Sequence, residues 1–173
     1  MSSARPGAPR EIERVWLLRA MPEVPAGSER WTIEQGYLPV AGAETPEFPE
    51  GRLRRVTLPD GGVRRFHTVK RGAGLVREET ERELAEPEFA RWWPATAGRR
   101  LRKVRHRFAH GGLTWELDEF LDLPLVMLEV ELPDERTAAP LPAFLASLVE
   151  REVTEDARYR NFALATRGVP SPR

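Results

Sequence analysis

Carboxylates separated by one residue occur in three distant segments of the sequence. They are Glu11 and Glu13, Glu116 and Asp118, and Glu129 and Glu131. Because successive side chains of a β-strand point to opposite faces, both members of each pair would lie on one face. Clustered carboxylates repel one another and take up protons unless a cation is present, and Mg²⁺ binds through one or two carboxylates together with substrate phosphate oxygens. The pairs therefore predict a site for a divalent metal ion.

Basic residues lie at corresponding positions of other predicted strands. They are Arg52, Arg54, Lys70, Arg77, Lys103 and Arg105. Arginine binds phosphate oxygens through a bidentate fork, and lysine binds them as a point charge. Phosphoryl transfer needs little from a protein beyond positioning and charge stabilisation. A metal-binding side and a basic side together indicate a site for a triphosphate or polyphosphate.

The strands that would hold these residues alternate polar and apolar side chains. In the stretch 128–132, Leu128, Val130 and Leu132 share one face, and Glu129 and Glu131 share the other. For any single strand, a charged face exposed to solvent is the simpler interpretation. At least six segments repeat the pattern, however, and the acidic segments differ from the basic ones. This repetition favours charged faces that line a shared cavity.

The pattern predicts a mainly β (α+β) fold. About eight strands separated by hairpin turns indicate an eight-stranded antiparallel closed β-barrel with flanking helices. Apolar spacing predicts helices over residues 86–93, 141–149 and 156–164, and these would cover the apolar faces of the strands. The domain is expected to span residues 10–164, between a disordered N-terminal tail over 1–9 and a C-terminal tail over 165–173.

Composition excludes several classes of protein. The 173 residues include 27 Lys and Arg and 27 Asp and Glu, and this zero net charge argues against a general nucleic-acid binder. The absence of Cys excludes disulfides and thiolate chemistry. No apolar run approaches the roughly 20 residues that span a bilayer, and the N-terminus has no signal-peptide pattern, so we expect a cytoplasmic protein with no membrane partner.

Taken in order, these segments resemble the CYTH superfamily, the triphosphate tunnel metalloenzymes, and within it the compact bacterial inorganic triphosphatases. Each segment alone is a weak signal, and the ordered set is specific. The matching stretches are Glu11–Arg14, Ile33–Leu38, Arg52–Arg55, Thr68–Lys70, Leu75–Glu79, Lys103–Arg105, Trp115–Asp118, Leu128–Leu132 and Glu152–Thr154.

The resemblance implies an eight-stranded tunnel and Mg²⁺ or Mn²⁺ as cofactor. It implies as metal ligands Glu11, Glu13, Asp118, Glu129 and Glu131, with Glu116 or Glu79 assisting. It implies as phosphate-binding residues Arg52, Arg54, Lys70, Arg77, Lys103 and Arg105. It implies as catalytic residues Glu11, Glu13, Lys103, Glu129 and Glu131. The family signature near the N-terminus is E-x-E-x-K, and Val15 stands in the place of its lysine.

The predicted function is metal-dependent hydrolysis of inorganic tripolyphosphate or a related triphosphate, by attack of a water that a second metal ion or a nearby carboxylate activates. The substrate would be the partner, and a homodimer is possible. One alternative is an enzyme acting on nucleoside or thiamine triphosphate, or with class IV adenylyl cyclase chemistry. The other is a non-catalytic polyphosphate-binding module, for which Val15 is the motivating feature.

Two further signals receive structural interpretations. The histidines His67, His106 and His110 lack ligand spacing, which favours surface or turn roles. Tyr37 could face the cavity, and core packing is the favoured interpretation.

Overall fold

The computed structural model describes residues 10–39, 50–71 and 76–171, and for residues 10, 11, 71 and 76–78 it describes the backbone alone. The described part contains nine strands and two α-helices. The strands are β1 Arg10–Leu18, β2 Glu29–Tyr37, β3 Arg52–Thr57, β4 Val63–Arg71, β5 Val76–Glu83, β6 Arg100–His110, β7 Leu113–Phe120, β8 Val126–Glu131 and β9 Val149–Glu152. The helices are α1 Glu86–Trp92 and α2 Asn161–Arg167.

The strands form one antiparallel sheet in the order β5-β4-β3-β2-β6-β7-β8-β1-β9. The prediction of a mainly β antiparallel fold with helices is confirmed, although the described residues hold nine strands where eight were predicted. An additional pairing joins β1 to β5, through the backbones of Arg10–Ile12 and Val76–Glu78. Four of the eight connections between successive strands are short and join paired neighbours, namely β3–β4, β4–β5, β6–β7 and β7–β8. In each antiparallel pair, residues two apart on one strand meet residues two apart on the next.

The predicted helix over 141–149 is wrong. A single 3₁₀ turn, Ala143–Leu145, is followed by β9, which pairs with β1. Pro140 and Pro142 disfavour helical backbone at the residues that precede them, and Pro142 itself is extended, with a ψ of 131°. The apolar spacing arises because Leu145 is fully buried against the sheet. This segment therefore covers the sheet without forming an α-helix.

The helix predicted over 156–164 is divided in two. A 3₁₀ turn, Ala157–Tyr159, is separated from α2 by Arg160, whose ψ of 141° is extended. The second piece ends at Arg167 and so runs three residues into the predicted C-terminal tail. The helix predicted over 86–93 is confirmed as α1. The predicted N-terminal tail lies outside the described residues.

Apolar side chains pack on both sides of β1 and β8. One cluster includes Trp16, Trp115 and Leu128, and the two indole rings lie 5.6 Å apart. The segment that holds Leu145 covers this cluster. A second cluster joins the opposite side to the C-terminal segment, through Val15, Leu17, Met127, Val153, Tyr159 and Leu164 among others. Within the described residues, no helix combines the length and the apolar character that crossing a membrane requires.

Candidate functional site

A cavity of about 600 Å³ lies over the charged faces of the strands. Its lining combines acidic and basic side chains from seven strands with residues of the C-terminal segment. The sequence-predicted residues that line it are Glu13, Arg52, Arg54, Lys70, Lys103, Arg105, Glu129 and Glu131. Segments far apart in the sequence therefore bring their charged faces together in one concave site. The roles assigned to these residues stay predictions.

Strand register explains why these side chains meet. On the acidic side, Glu13 lies opposite Glu131, and Glu116 lies opposite Glu129. On the basic side, Thr68 of β4 lies opposite both Arg52 of β3 and Glu81 of β5, and Lys70 lies opposite Glu79. Directly opposed side chains on one face of an antiparallel pair have Cβ atoms about 4.5–5.5 Å apart. We call Glu13, Glu116, Glu129 and Glu131 the acidic wall, and Arg52, Arg54 and Lys70 the basic wall.

A buried ion cluster, formed by Lys103, Arg105 and Asp118, lies at the base of the cavity. Asp118 is fully buried, Lys103 is 1% exposed and Arg105 is 7% exposed. Arg105 binds the carboxylate of Asp118 in a bidentate manner, with Nε to Oδ1 and Nη2 to Oδ2 distances of 2.7 Å each. Lys103 Nζ donates to the same Oδ2. Both oxygens of Asp118 are therefore occupied by cations.

Asp118 does not line the cavity, unlike the other predicted metal ligands whose side chains are described. Arg105 extends past it and donates to Glu116 and, at 2.7 Å, to Glu129 Oε2. This arrangement gives Asp118 a positioning role beneath two cavity cations. The role of Asp118 as a metal ligand stays a prediction, and in this structure its oxygens accept from Lys103 and Arg105.

Burial and charge act in opposite directions within this cluster. Burial raises the pKa of Asp118, but the charges of Arg105 and Lys103 outweigh it and bring that pKa to about 2. Burial lowers the pKa of Lys103 despite the attraction of Asp118. Burial also raises the pKa of Glu129, against the attraction of Lys103. Asp118 is therefore the anion at the centre of the cluster, between the two cations.

The two arginines of the basic wall share one carboxylate. Arg54 Nη2 donates to Glu81 Oε2 at 3.0 Å, and Thr68 Oγ1 donates to the same oxygen at 2.7 Å. Arg52 Nη2 donates to Thr68 Oγ1 at 3.2 Å and lies 3.7 Å from the same Glu81 oxygen. The Nε atoms of Arg52 and Arg54 are buried and have no hydrogen-bond partner in the described part of the chain. Donors in this condition fit an anionic ligand with oxygen acceptors.

The surroundings of Arg54 weaken its affinity for a proton. Burial, followed by repulsion from Arg52, lowers the pKa of Arg54 to about 10. Two buried guanidinium groups that repel each other are stabilised by any anion placed between them. A polyanionic ligand would therefore relieve this repulsion.

The acidic wall carries an excess of negative charge. Partial burial and then repulsion from Glu116, Glu79 and Glu13 raise the pKa of Glu131. Hard divalent cations prefer carboxylate oxygens, and Mg²⁺ needs only one or two carboxylates when substrate phosphates complete its coordination. Among the described residues, no group of three or more acidic or histidine side chains is arranged to hold a metal ion by itself. The opposed pair Glu13 and Glu131 thus fits a metal ion that is shared with a phosphate ligand.

Two predicted site residues, Glu11 and Arg77, have side chains outside the described set. Their backbones pair with each other across β1 and β5. Val15 does line the cavity, and it lies opposite Glu129. The position aligned with the motif lysine therefore belongs to the site and carries no charge.

Several cavity residues were missed or misassigned from the sequence. Tyr37 lines the cavity, so the preference for core packing was wrong, and its hydroxyl accepts from Gln35 at 3.1 Å. Thr68 lies two residues from Lys70, and Glu81 lies two residues from Glu79, so strand alternation could have placed both on the cavity face. Thr154 also lines the cavity, as do Arg160 and Asn161; the last two lie in the segment 156–164 that was predicted to be helical, where the period of a strand gives no signal.

Two curated proteins resemble the chain. An inorganic triphosphatase of Nitrosomonas europaea is 38% identical over 163 residues, which cover 90% of this chain and 96% of that protein. An inorganic triphosphatase of Acetivibrio thermocellus is 44% identical over 63 residues, which cover 35% of this chain and 38% of that protein.

Solved structures agree with these relatives. The crystal structure of an inorganic triphosphatase matches with a TM-score of 0.59 and 32% sequence identity, over 94% of this chain and 97% of that one. No protein-family model matches the chain.

Proposed function

Because this chain belongs to the inorganic triphosphatase family, we propose that it hydrolyses inorganic triphosphate in the charged cavity, with a divalent metal ion. The observation that carries the proposal is the sorting of charge within one cavity, with buried arginine donors on one side and mutually repelling carboxylates on the other. A linear triphosphate with a bound cation matches both sides at once.

The basic wall and the two cations of the ion cluster would bind the phosphates. Arg52 and Arg54 offer Nε donors that the described protein residues leave unsatisfied. Lys103 and Arg105 are held in place by Asp118 and need not reorganise when a ligand binds. Preorganised donors stabilise developing charge at low cost, and this is the main requirement of phosphoryl transfer.

Glu13 and Glu131 would hold the metal ion, with Glu129 beside them. A Mg²⁺ or Mn²⁺ ion at this place would neutralise phosphate charge and orient the phosphate chain. Hydrolysis joins a water oxygen to the terminal phosphorus, breaks the bridging phosphorus–oxygen bond and releases pyrophosphate. A carboxylate of the acidic wall would accept the proton of the water, and a raised pKa makes a carboxylate a stronger base.

We further propose that the sheet closes around the substrate as an eight-stranded tunnel of the CYTH type. The pairing of β1 with β5 supports this closure, because these strands stand at or next to the two ends of the sheet order. A closed tunnel would remove water from the phosphates and would strengthen each charge interaction within it.

A non-catalytic polyphosphate-binding module is the second candidate, and Val15 is the observation that favours it. An uncharged residue among the cavity charges removes one cation from the site that the family signature describes. Tight binding of tripolyphosphate without release of phosphate would establish this alternative.

Removal of divalent metal is expected to abolish phosphate release from tripolyphosphate, because the metal ion would neutralise phosphate charge and orient the phosphate chain for attack. Phosphate release would be measured with Mg²⁺, with Mn²⁺ and with EDTA, on tripolyphosphate, ATP and thiamine triphosphate. Turnover of tripolyphosphate that persists undiminished in EDTA would contradict the metal assignment. Preferential turnover of ATP or thiamine triphosphate would contradict the substrate assignment.

Replacement of Val15 by Lys is expected to tighten the binding of tripolyphosphate roughly fivefold to tenfold, because the new ammonium would enter a cavity lined by phosphate-binding groups. Titration calorimetry would measure the dissociation constant. The matched control is Val63→Lys, which adds the same charge at a valine that is 42% exposed and outside the cavity lining. Equal effects from the two variants would show that net charge, and not the site, governs the affinity.

A further inference from the structure

The C-terminal segment forms one side of the cavity. Val153, Thr154, Asp156, Tyr159, Arg160 and Asn161 all contribute to the lining. The segment is fixed to β1, since Val153 N donates to Val15 O at 2.8 Å and Val15 N donates to Thr154 Oγ1 at 3.0 Å. Tyr159 is 7% exposed and packs in the same apolar cluster as Val15. Side chains of this segment are therefore held against the part of β1 that lacks a cation.

Arg160 differs from the other described cavity cations. Arg54 is paired with Glu81, Lys70 with Glu79, and the ion cluster with Asp118. The guanidinium of Arg160 makes no hydrogen bond or ion pair with any residue that the structure describes, although the residue is half-buried and lines the cavity. A partly buried guanidinium without a counter-charge loses hydration and gains nothing in return. This cost is explained if an anion occupies the cavity in the working state.

The next residue, Asn161, also has a polar group without a partner in the described part of the chain. Asn161 Oδ1 is buried and has no hydrogen-bond partner among the described residues, and Asn161 also lines the cavity. A carboxamide presents two donors on its nitrogen, and its orientation can turn to suit a ligand. Two adjacent residues thus have unused hydrogen-bonding capacity at the same side of the cavity. Arg52 and Arg54, on β3, have unused Nε donors as well.

We propose that Arg160 binds the phosphate oxygens of the substrate directly and supplies, from the C-terminal segment, the positive charge that β1 lacks at Val15. This inference rests on the proposed function, and it adds a substrate-binding residue that the alternation of the strands does not reveal. Arginine is suited to the role because its planar fork binds two oxygens at once without a change of charge state.

The test compares Arg160→Ala and Arg160→Lys with the wild-type protein. Tripolyphosphate affinity would be measured by titration calorimetry in EDTA, and KM and kcat would be measured with Mg²⁺. Arg160→Ala is expected to raise both the dissociation constant and KM roughly tenfold, and Arg160→Lys to recover part of the loss because it keeps the charge. The midpoint of thermal unfolding should not fall, since no described contact of the guanidinium is removed. The matched control is Arg167→Ala, an exposed residue of α2 outside the cavity lining.

The outcomes separate this inference from the function on which it rests. Wild-type protein that binds tripolyphosphate without hydrolysing it overturns the proposed hydrolysis, while weaker binding by Arg160→Ala would still support a phosphate contact. Wild-type protein that hydrolyses tripolyphosphate, with an Arg160→Ala variant whose dissociation constant and KM are unchanged, overturns the inference alone. An equal loss in Arg167→Ala also overturns it, because the effect would then arise from overall charge.

Discussion

Asp118→Asn lowers the free energy of unfolding by about 3–5 kcal/mol, the usual cost of leaving a buried charge without its partner. Asp118 is fully buried, and both of its oxygens accept from Lys103 and Arg105. Asparagine preserves the shape of the side chain and removes the charge that compensates the two cations. Urea unfolding at neutral pH measures the change.

The control for this prediction is Asp122→Asn. Asp122 also forms a bidentate pair with an arginine: Arg102 Nη2 donates to Oδ1 at 2.7 Å and Arg102 Nε to Oδ2 at 3.3 Å, but the arginine side chain is 56% exposed. Exposed pairs contribute about 0–1 kcal/mol, so this variant should remain close to the wild type. Equal losses in the two variants would contradict the central role of the buried ion cluster.

At low pH, the wild type and Asp118→Asn should have the same free energy of unfolding. The folded pKa of Asp118, about 2, is below its ordinary value of 3.8, so its stabilising effect is present above pH 3.8 and is lost as the pH falls through about 2. The two unfolding free energies should therefore converge across this window. Curves that stay parallel would place the stabilising charge elsewhere.

Glu131→Gln reduces the turnover of tripolyphosphate roughly a hundredfold or more, because it removes an oxygen ligand of the proposed metal ion and raises the barrier by about 3 kcal/mol. The same substitution should leave the free energy of unfolding unchanged or higher. Burial and the nearby carboxylates raise the pKa of Glu131, so its ionised form opposes folding at neutral pH and glutamine relieves that penalty. Steady-state kinetics and urea unfolding measure the two effects.

The control for Glu131→Gln is Glu150→Gln on β9. The side chain of Glu150 is 49% exposed, lies 4.0 Å from Arg151 and is outside the cavity lining. It should leave both kinetics and stability close to the wild type. Turnover that is unchanged in Glu131→Gln would refute the role of Glu131 as a metal ligand, and a large loss of stability would show that its role is structural.

The sequence predicted which face of each strand carries charge. Alternation in a strand has a fixed period of two, so Glu129 and Glu131 had to share a face, and that face was opposite to Leu128 and Val130. The prediction of an inorganic triphosphatase is confirmed at the level of the family. In contrast, the helix predicted over 141–149 failed because Leu145 reaches the sheet from a 3₁₀ turn, and apolar spacing over a single turn is shared by both structures.

The alternation of residues alone determined which charged side chains share one face of each strand. Only the tertiary structure decided what each of them does there. Asp118 and Glu131 are each the second carboxylate of a pair separated by one residue. Asp118 nevertheless lies beneath Lys103 and Arg105, whereas Glu131 lies among carboxylates. The reason is that the period of a strand fixes the direction of a side chain, whereas the depth of that side chain and its neighbours depend on strand register and on the packing of distant segments, including the one that places Arg160 in the cavity.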